Sequence, residues 1–267
     1  MDLTAKVCVV TGASTGIGRR IALDLAAVGA RVCVAARRGG LLDDIVADMG
    51  AVHDGHSAVV CDVSRRADVE RLATHVRGVY GRCDVLVNNA GFSARSRLWE
   101  PDGVDVVERV VATNFLGAVR CTRALLPLLE QSAPSHVVNV ASVAGRVAVP
   151  GASAYCASKF ALVGWSEALH YELAARGVFV SLVEPGFVPT EGFPARGVAT
   201  RPLLRRALST TDAVSAAVQS VIARRAIART VPRWYYAAQV ARVVAPGLWR
   251  AVLRRAAAGA TNPARPT

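Results

Sequence analysis

Lysine is almost missing from this chain. Of its 32 basic residues, only Lys6 and Lys159 are not arginine. A sequence that writes nearly all its positive charge as guanidinium marks, by its exceptions, positions where a compact ammonium is wanted. The six cysteines (8, 33, 61, 83, 121 and 156) form no C-x-x-C pair, and several fall in apparent core strands. They read as small buried hydrophobes in a reducing compartment, which excludes a disulfide scaffold and a zinc knuckle. The five histidines (53, 56, 75, 136 and 170) have no metal-ligand spacing, so no metal is expected. No uncharged run approaches the roughly 20 residues needed to cross a bilayer. The start, MDLTAKVCVV, has too short an apolar core for a signal peptide, and a cytoplasmic location is expected.

Acid is what the last quarter lacks. Residues 201–267 hold 12 Arg against Asp212 alone, a net +11, whereas residues 1–200 hold 18 Arg and 2 Lys against 19 acids, a net +1. The overall +12 is therefore local. A nucleic-acid face or a membrane-facing tail would both have this charge.

With 267 residues, 52% of them hydrophobic, and no Ser/Gly-rich linker or repeat, the chain suits one large α/β domain. We place it at 1–231, followed by a basic amphipathic extension at 232–256 and a disordered tail at 257–267. Apolar Val- and Cys-rich runs at 6–12, 30–36, 57–62, 84–89, 135–142, 178–185 and 228–231 read as strands. Segments of helical period fall between them at 17–29, 41–49, 67–80, 103–130 and 154–175. Continuous apolar strands alternating with helices predict a Rossmann-like, doubly wound parallel sheet of about seven strands, covered on both faces. Ligands of such sheets bind beyond the carboxyl ends of the strands.

TGASTGIG (11–18) joins the first strand to the first helix. Gly12 suits a tight turn, Gly16 lets a pyrophosphate approach the backbone, and Gly18 allows the helix close against the sheet. The second strand ends Ala35-Ala36-Arg37-Arg38, without the acid that would bind a free ribose 2′-hydroxyl. Arg37 and Arg38 suit a 2′-phosphate instead, so NADP(H) is expected rather than NAD(H).

Tyr155 and Lys159 stand at i and i+4 of a predicted helix, on one face, and Ser142 ends the strand before it. A free tyrosine titrates at about 10, and bringing it to about 7 takes about 4 kcal/mol of phenolate stabilisation. One ammonium at about 4 Å supplies that order of energy at an effective dielectric of about 20. Lysine can also hold ribose hydroxyls and exchange its proton, which guanidinium cannot.

With TGASTGIG (11–18), CDVS (61–64), NNAG (88–91), TNFLG (113–117), Ser142, YCASK (155–159) and PGFVPT (185–190) in this order, the chain resembles the short-chain dehydrogenase/reductase (SDR) family. The resemblance runs from about residue 5 to 190 and implies a carbonyl–alcohol oxidoreductase. It implies that Tyr155 is the general acid/base, Ser142 a donor to the developing oxyanion, and Lys159 the depressor of the Tyr155 pKa and a ribose ligand. Asn114 would hold a water linking Lys159 to solvent. Cofactor contacts are implied for Gly12, Ser14, Thr15, Gly16, Ile17, Gly18, Asp62, Val63, Asn89, Ala90, Gly91, Tyr155, Lys159, Pro185, Gly186, Val188 and Thr190. Asp62 would meet the adenine, and Pro185-Gly186 with Thr190 the nicotinamide amide. Helices 103–130 and 154–175 resemble those that pair in homodimers or homotetramers of the family.

A substrate lid is expected at about 187–210, where Phe187, Val188, Phe193 and Leu203 suggest an apolar carbonyl or alcohol substrate. The extension mixes Trp234, Tyr235, Tyr236, Val243, Val244, Leu248 and Trp249 with Arg233, Arg242, Arg250, Arg254 and Arg255. That composition suits a peripheral helix on anionic lipid, or a segment packed on the protein itself. No nucleic-acid motif accompanies the charge, so nucleic acid is not expected. The alternative to an enzyme is a non-catalytic NADP-binding sensor that holds a partner through the basic tail.

Overall fold

The computed structural model describes residues 1–94, 98–191 and 208–260, with side chains to 255. Its centre is a seven-stranded parallel sheet: β1 (Val7–Thr11), β2 (Arg31–Ala36), β3 (Ser57–Val60), β4 (Val85–Asn88), β5 (Ser135–Val140), β6 (Val178–Pro185) and β7 (Ala228–Val231). The spatial order is β3-β2-β1-β4-β5-β6-β7. The chain therefore winds outward from β1 to β3, then returns to lay β4 on the other side of β1. Register pairs Val9 with Cys33 on one side and with Leu86 on the other. The crevice at that reversal opens above the ends of β1 and β4, where the glycine turn and NNAG lie.

Both faces of the strands are buried, which is why the strand sequences are unbroken apolar runs. Along β1, Val7 and Val9 join the layer formed by α3 (Arg66–Tyr80) and α5 (Leu116–Gln131), with Leu72, Val76 and Leu125. Cys8 and Val10 face the opposite layer, built from α1 (Gly16–Ala27), α2 (Gly39–Gly50) and α7 (Thr211–Arg224), with Ile21, Leu42 and Val218. This is the two-residue alternation of a strand serving two cores. All six cysteines are buried and unpaired, and desolvation pushes the Cys33 thiol up to about 11 and that of Cys61 to about 12. Among the described residues no three His, Cys, Asp or Glu converge as metal ligands.

Four further α-helices are described: α4 (Gly103–Asn114), α6 (Ser153–Ala174), and the pair α8 (Tyr235–Val244) and α9 (Pro246–Ala260), which forms the extension. The single helix expected over 103–130 is in fact two. Phe115, at φ −113° and ψ −63°, is distorted between α4 and α5, although its N–H still donates to the Val111 carbonyl and its carbonyl still accepts from Val119 N, both at 3.1 Å. The neighbouring Asn114 turns its side chain onto the backbone of Phe92, both accepting from its N–H and donating to its carbonyl at 2.9 Å. Most of the expected lid, including Phe193 and Leu203, and the tail beyond 260 lie outside the described residues. No described helix is long and apolar enough to cross a membrane.

Candidate active site

The nucleotide end is shaped by one close contact. A Cβ on Gly18 would lie 2.3 Å from the Gly12 carbonyl oxygen and 2.4 Å from Asn89 Nδ2. Only glycine lets α1 approach so near. Asn89 uses the space to donate to the carbonyls of Thr11 and Gly12, both at 3.1 Å. The Thr11 hydroxyl accepts from the backbone N–H groups of Asn89 and Ala90, at 3.1 and 3.2 Å. Asn89 thus clamps the glycine turn to the end of β4. Helix α1 starts at Gly16 with no side-chain cap from Thr15 and no acid in its first turn. Its N–H groups and positive dipole end face the crevice, a donor set that fits a dinucleotide pyrophosphate.

Of the two arginines after β2, Arg38 is held over this turn. It donates to Thr15 Oγ1 at 3.0 Å and to Ser14 Oγ at 3.3 Å, and pairs with both oxygens of Glu191 at 2.8 and 3.0 Å. Arg37 is exposed beside it. Thr190 closes over Gly16 from the same side, its Cγ2 3.1 Å from where a Cβ would stand. Asp62, at the end of β3, accepts from Ser64 N and Oγ at 2.9 and 2.7 Å and so fixes the local turn. Val63 is buried against Gly117.

The chemical end lies above β5 and β6. Ser142 follows β5 and caps a short 3₁₀ turn, Val143–Gly145, by accepting from Ala144 N at 3.1 Å. Its hydroxyl reaches the Pro185 carbonyl at 3.3 Å. Tyr155 and Lys159 occupy the first turns of α6. Burial pushes the Tyr155 hydroxyl up to about 12, and its hydrogen bond with Ser142 opposes that rise. Lys159 is 5% exposed, and burial brings it down to about 8. Its Nζ donates to the Val140 carbonyl at 2.8 Å and stands 5.8 Å from the Tyr155 ring centre. The expected lowering of Tyr155 is therefore not made by the protein alone, because desolvation outweighs an ammonium directed to a backbone carbonyl. A Cβ on Gly91 would lie 3.1 Å from Asn114 Oδ1 and 3.8 Å from Lys159 Nζ. Asn114 also donates to Ser158 Oγ at 3.1 Å. The fold thus gathers Asn114, Ser142, Tyr155 and Lys159 beside the nucleotide crevice.

The short chain dehydrogenase family model matches residues 6–197. The chain belongs to the short-chain dehydrogenase family. It is 37% identical over 190 residues to a 3-oxoacyl-[acyl-carrier-protein] reductase of Synechocystis sp., covering 71% of this chain and 76% of that protein. It is 35% identical over 194 residues to a dehydrogenase/reductase SDR family protein 7-like of Drosophila melanogaster, covering 71% of this chain but only 59% of that one. Among solved structures, Pseudomonas aeruginosa RhlG in an NADP complex superposes with a TM-score of 0.79 at 31% identity, covering 88% of this chain and 97% of that one. A Burkholderia phymatum short chain dehydrogenase/reductase in complex with NAD gives 0.81 at 28% identity, covering 100% and 99%.

In this short-chain dehydrogenase the extension, which lies outside the family match, reaches the site. A Cβ on Gly186 would come 2.2 Å from Tyr235 Cε2, so the first residue of α8 seals the back of the Pro185-Gly186 turn. Trp234 stacks on Tyr235 with ring centres 4.0 Å apart. One helical turn on, Gln239 donates to Glu184 Oε2 at 3.2 Å and to Thr230 Oγ1 at 3.3 Å. Glu184 is buried at the end of β6 and also accepts from Arg146 Nε at 2.6 Å and Thr230 Oγ1 at 2.9 Å. Arg242 then donates to the Arg146 carbonyl and lies over the Phe160 ring at 4.9 Å. Tyr235, Gln239 and Glu191 belong to no sequence motif. The only hint is Glu184, an acid inside a buried strand, which had to have partners somewhere.

Proposed function

We propose that this short-chain dehydrogenase interconverts a carbonyl and an alcohol on an apolar small molecule, using NADP(H), with Tyr155 as general acid/base. The observation that carries the reading is the Ser142–Tyr155 hydrogen bond above β5, beside buried Lys159 and next to the clamped glycine turn. When bound, the nicotinamide supplies or accepts the hydride at the carbonyl carbon. In reduction, Tyr155 gives its proton to the substrate oxygen while Ser142 donates to the same oxygen as charge develops there. In oxidation, Tyr155 takes the alcohol proton. Lys159, already close to neutral-range titration, is suited to refill or drain that proton, with Asn114 fixing the loop at Phe92 beside it. A chain that served only as a nucleotide sensor would have no use for this whole set. Consumption of NADPH on a panel of ketones and aldehydes tests the reading, and no turnover on any of them would favour the sensor.

For cofactor choice we assign the 2′-phosphate to Arg38 in the first place, supported by its tether to Ser14 and Thr15, with Arg37 beside it. Glu191 now occupies that guanidinium, so a phosphate would have to displace it. Arg38→Asp should weaken NADPH at least tenfold more than NADH, since a repelling charge replaces a bidentate partner. Glu191→Gln should tighten NADPH selectively. Equal changes for both cofactors in titration calorimetry would remove Arg38 from this role.

Assembly into a homodimer or homotetramer belongs to the same reading. Ala157, Gly164 and Ala168 form an exposed stripe of small side chains on α6, which would let a second copy's helix approach closely. Light scattering at micromolar concentration should give a multiple of the 28.0 kDa chain mass, and a monomer would overturn this.

A further inference from the structure

Helix α8 is mounted the wrong way round for a helix that only covers its own protein. A surface helix normally turns its apolar stripe inward. Here the residues that hold α8 to the body are Tyr235, Gln239 and Arg242, spaced i, i+4, i+7, and all three bind through polar groups, Tyr235 to the backbone of Phe187. The apolar stripe Tyr236, Val240, Val243 and Val244, spaced i, i+4, i+7, i+8, points out instead. Val243 and Val244 are 78% and 76% exposed, and Leu248 at the start of α9 is 71% exposed. No residue of α8 is buried.

The charge around the stripe is of one sign. From Ala213 to Thr267 there is no acidic residue and there are nine arginines. Beside Leu253, Arg250 and Arg254 line a cleft of about 520 Å³ against Pro150, on the loop between Ser142 and α6. Exposed apolar side chains flanked by guanidiniums fit an interface of acyl chains beneath anionic phosphates. The same charge opposes a second copy of this chain. A two-fold contact would set each arginine-rich patch against itself, with no acid to pair.

We propose that the outer face of α8 and α9 docks this protein on an anionic membrane. Val243, Val244 and Leu248 enter the acyl boundary, and Arg250 and Arg254 take a lipid phosphate in the cleft beside Pro150. The opposite side of α8 meets the Gly186 turn through Tyr235, so a docked molecule carries its site one helix away from the lipid surface. This inference goes beyond the redox reading and does not rest on it, because vesicle binding is read without turnover.

The test is sedimentation of the full chain with phosphatidylcholine vesicles, with and without phosphatidylglycerol, at low salt. Binding is expected to the mixed vesicles only, and to weaken as salt rises. Val243→Asp with Val244→Asp, and separately Arg250→Glu with Arg254→Glu, should each lower vesicle affinity at least tenfold. Melting temperature and molecular mass should stay unchanged, since all four side chains lie outside the core. Failure of the full chain to sediment overturns the proposal. So does binding that survives the valine changes, which would be charge attraction alone. A fall in molecular mass in the Val243→Asp, Val244→Asp variant would also overturn it, and would assign the face to a second copy.

Discussion

Tyr155→Phe is expected to bind NADPH as the parent protein does and to lose at least about 100-fold in turnover. The ring stays in place at the start of α6, so the change removes only the hydroxyl and the proton it carries. The effect is large because nothing else in the site is placed to act as acid. Ser142 serves as a hydrogen-bond donor and not as a proton source, and Lys159 Nζ, donating to the Val140 carbonyl, stands 5.8 Å from the Tyr155 ring centre, behind Tyr155 in the proton route. The pH profile gives a second reading of the same role. Oxidation needs the phenolate, so its rate should rise with pH, whereas reduction needs the protonated form and should fall. Burial pushes Tyr155 up, to about 12, and the Ser142 hydrogen bond works against it. Ser142→Ala should therefore move the oxidative limb to higher pH as well as lower its plateau. Near-normal turnover in Tyr155→Phe would take the proton-transfer role from this residue.

The strands were legible because a parallel sheet buried on both faces leaves an uninterrupted apolar run, and all seven lie within the runs read from the sequence. The grouping of Ser142, Tyr155 and Lys159 was legible for a different reason. Tyr155 and Lys159 are close in sequence, and Ser142 stands at the strand end where the topology opens a crevice. What the sequence did not show is what depends on long-range contact. Helical period carried unbroken through Asn114-Phe115, where the chain divides into two helices beside the long-range pairing of Asn114 with Phe92, 22 residues away. The Tyr155–Lys159 spacing suggested a lowered tyrosine, but desolvation is a property of the surrounding fold and reverses the sign. The same holds for Arg38, whose partner Glu191 lies 153 residues on. In the extension, composition gave the basic amphipathic character of α8. It gave no indication that Arg242, grouped with the other outward arginines, turns inward to the Arg146 carbonyl.

Lys159→Met should abolish most activity and yet make the protein more stable at neutral pH. The parent lysine is 5% exposed, and burial lowers it from 10.5 to about 8. Below about pH 8 the folded and unfolded chains both carry the charge, and the folded one bears its full desolvation cost. Between about 8 and 10.5 the folded state releases its proton first, so the unfolded state binds more protons and stability rises with pH. Above that window the penalty has gone. The shift corresponds to about 3 kcal/mol. Losing the donor to the Val140 carbonyl returns about 1 kcal/mol, which leaves methionine ahead by about 2 kcal/mol at pH 7. Urea unfolding should show that advantage at pH 7 and its decline toward pH 10. Turnover should fall at least about 100-fold, because the proton route through the ammonium is gone. Lys159→Arg should lose activity as well, since a guanidinium neither fits the space beside Gly91 nor releases a proton, and it should gain no stability. A Lys159→Met protein less stable than its parent by the same margin at both pH values would mean that the buried ammonium is not held at a cost. The single lysine of the site would then be structural.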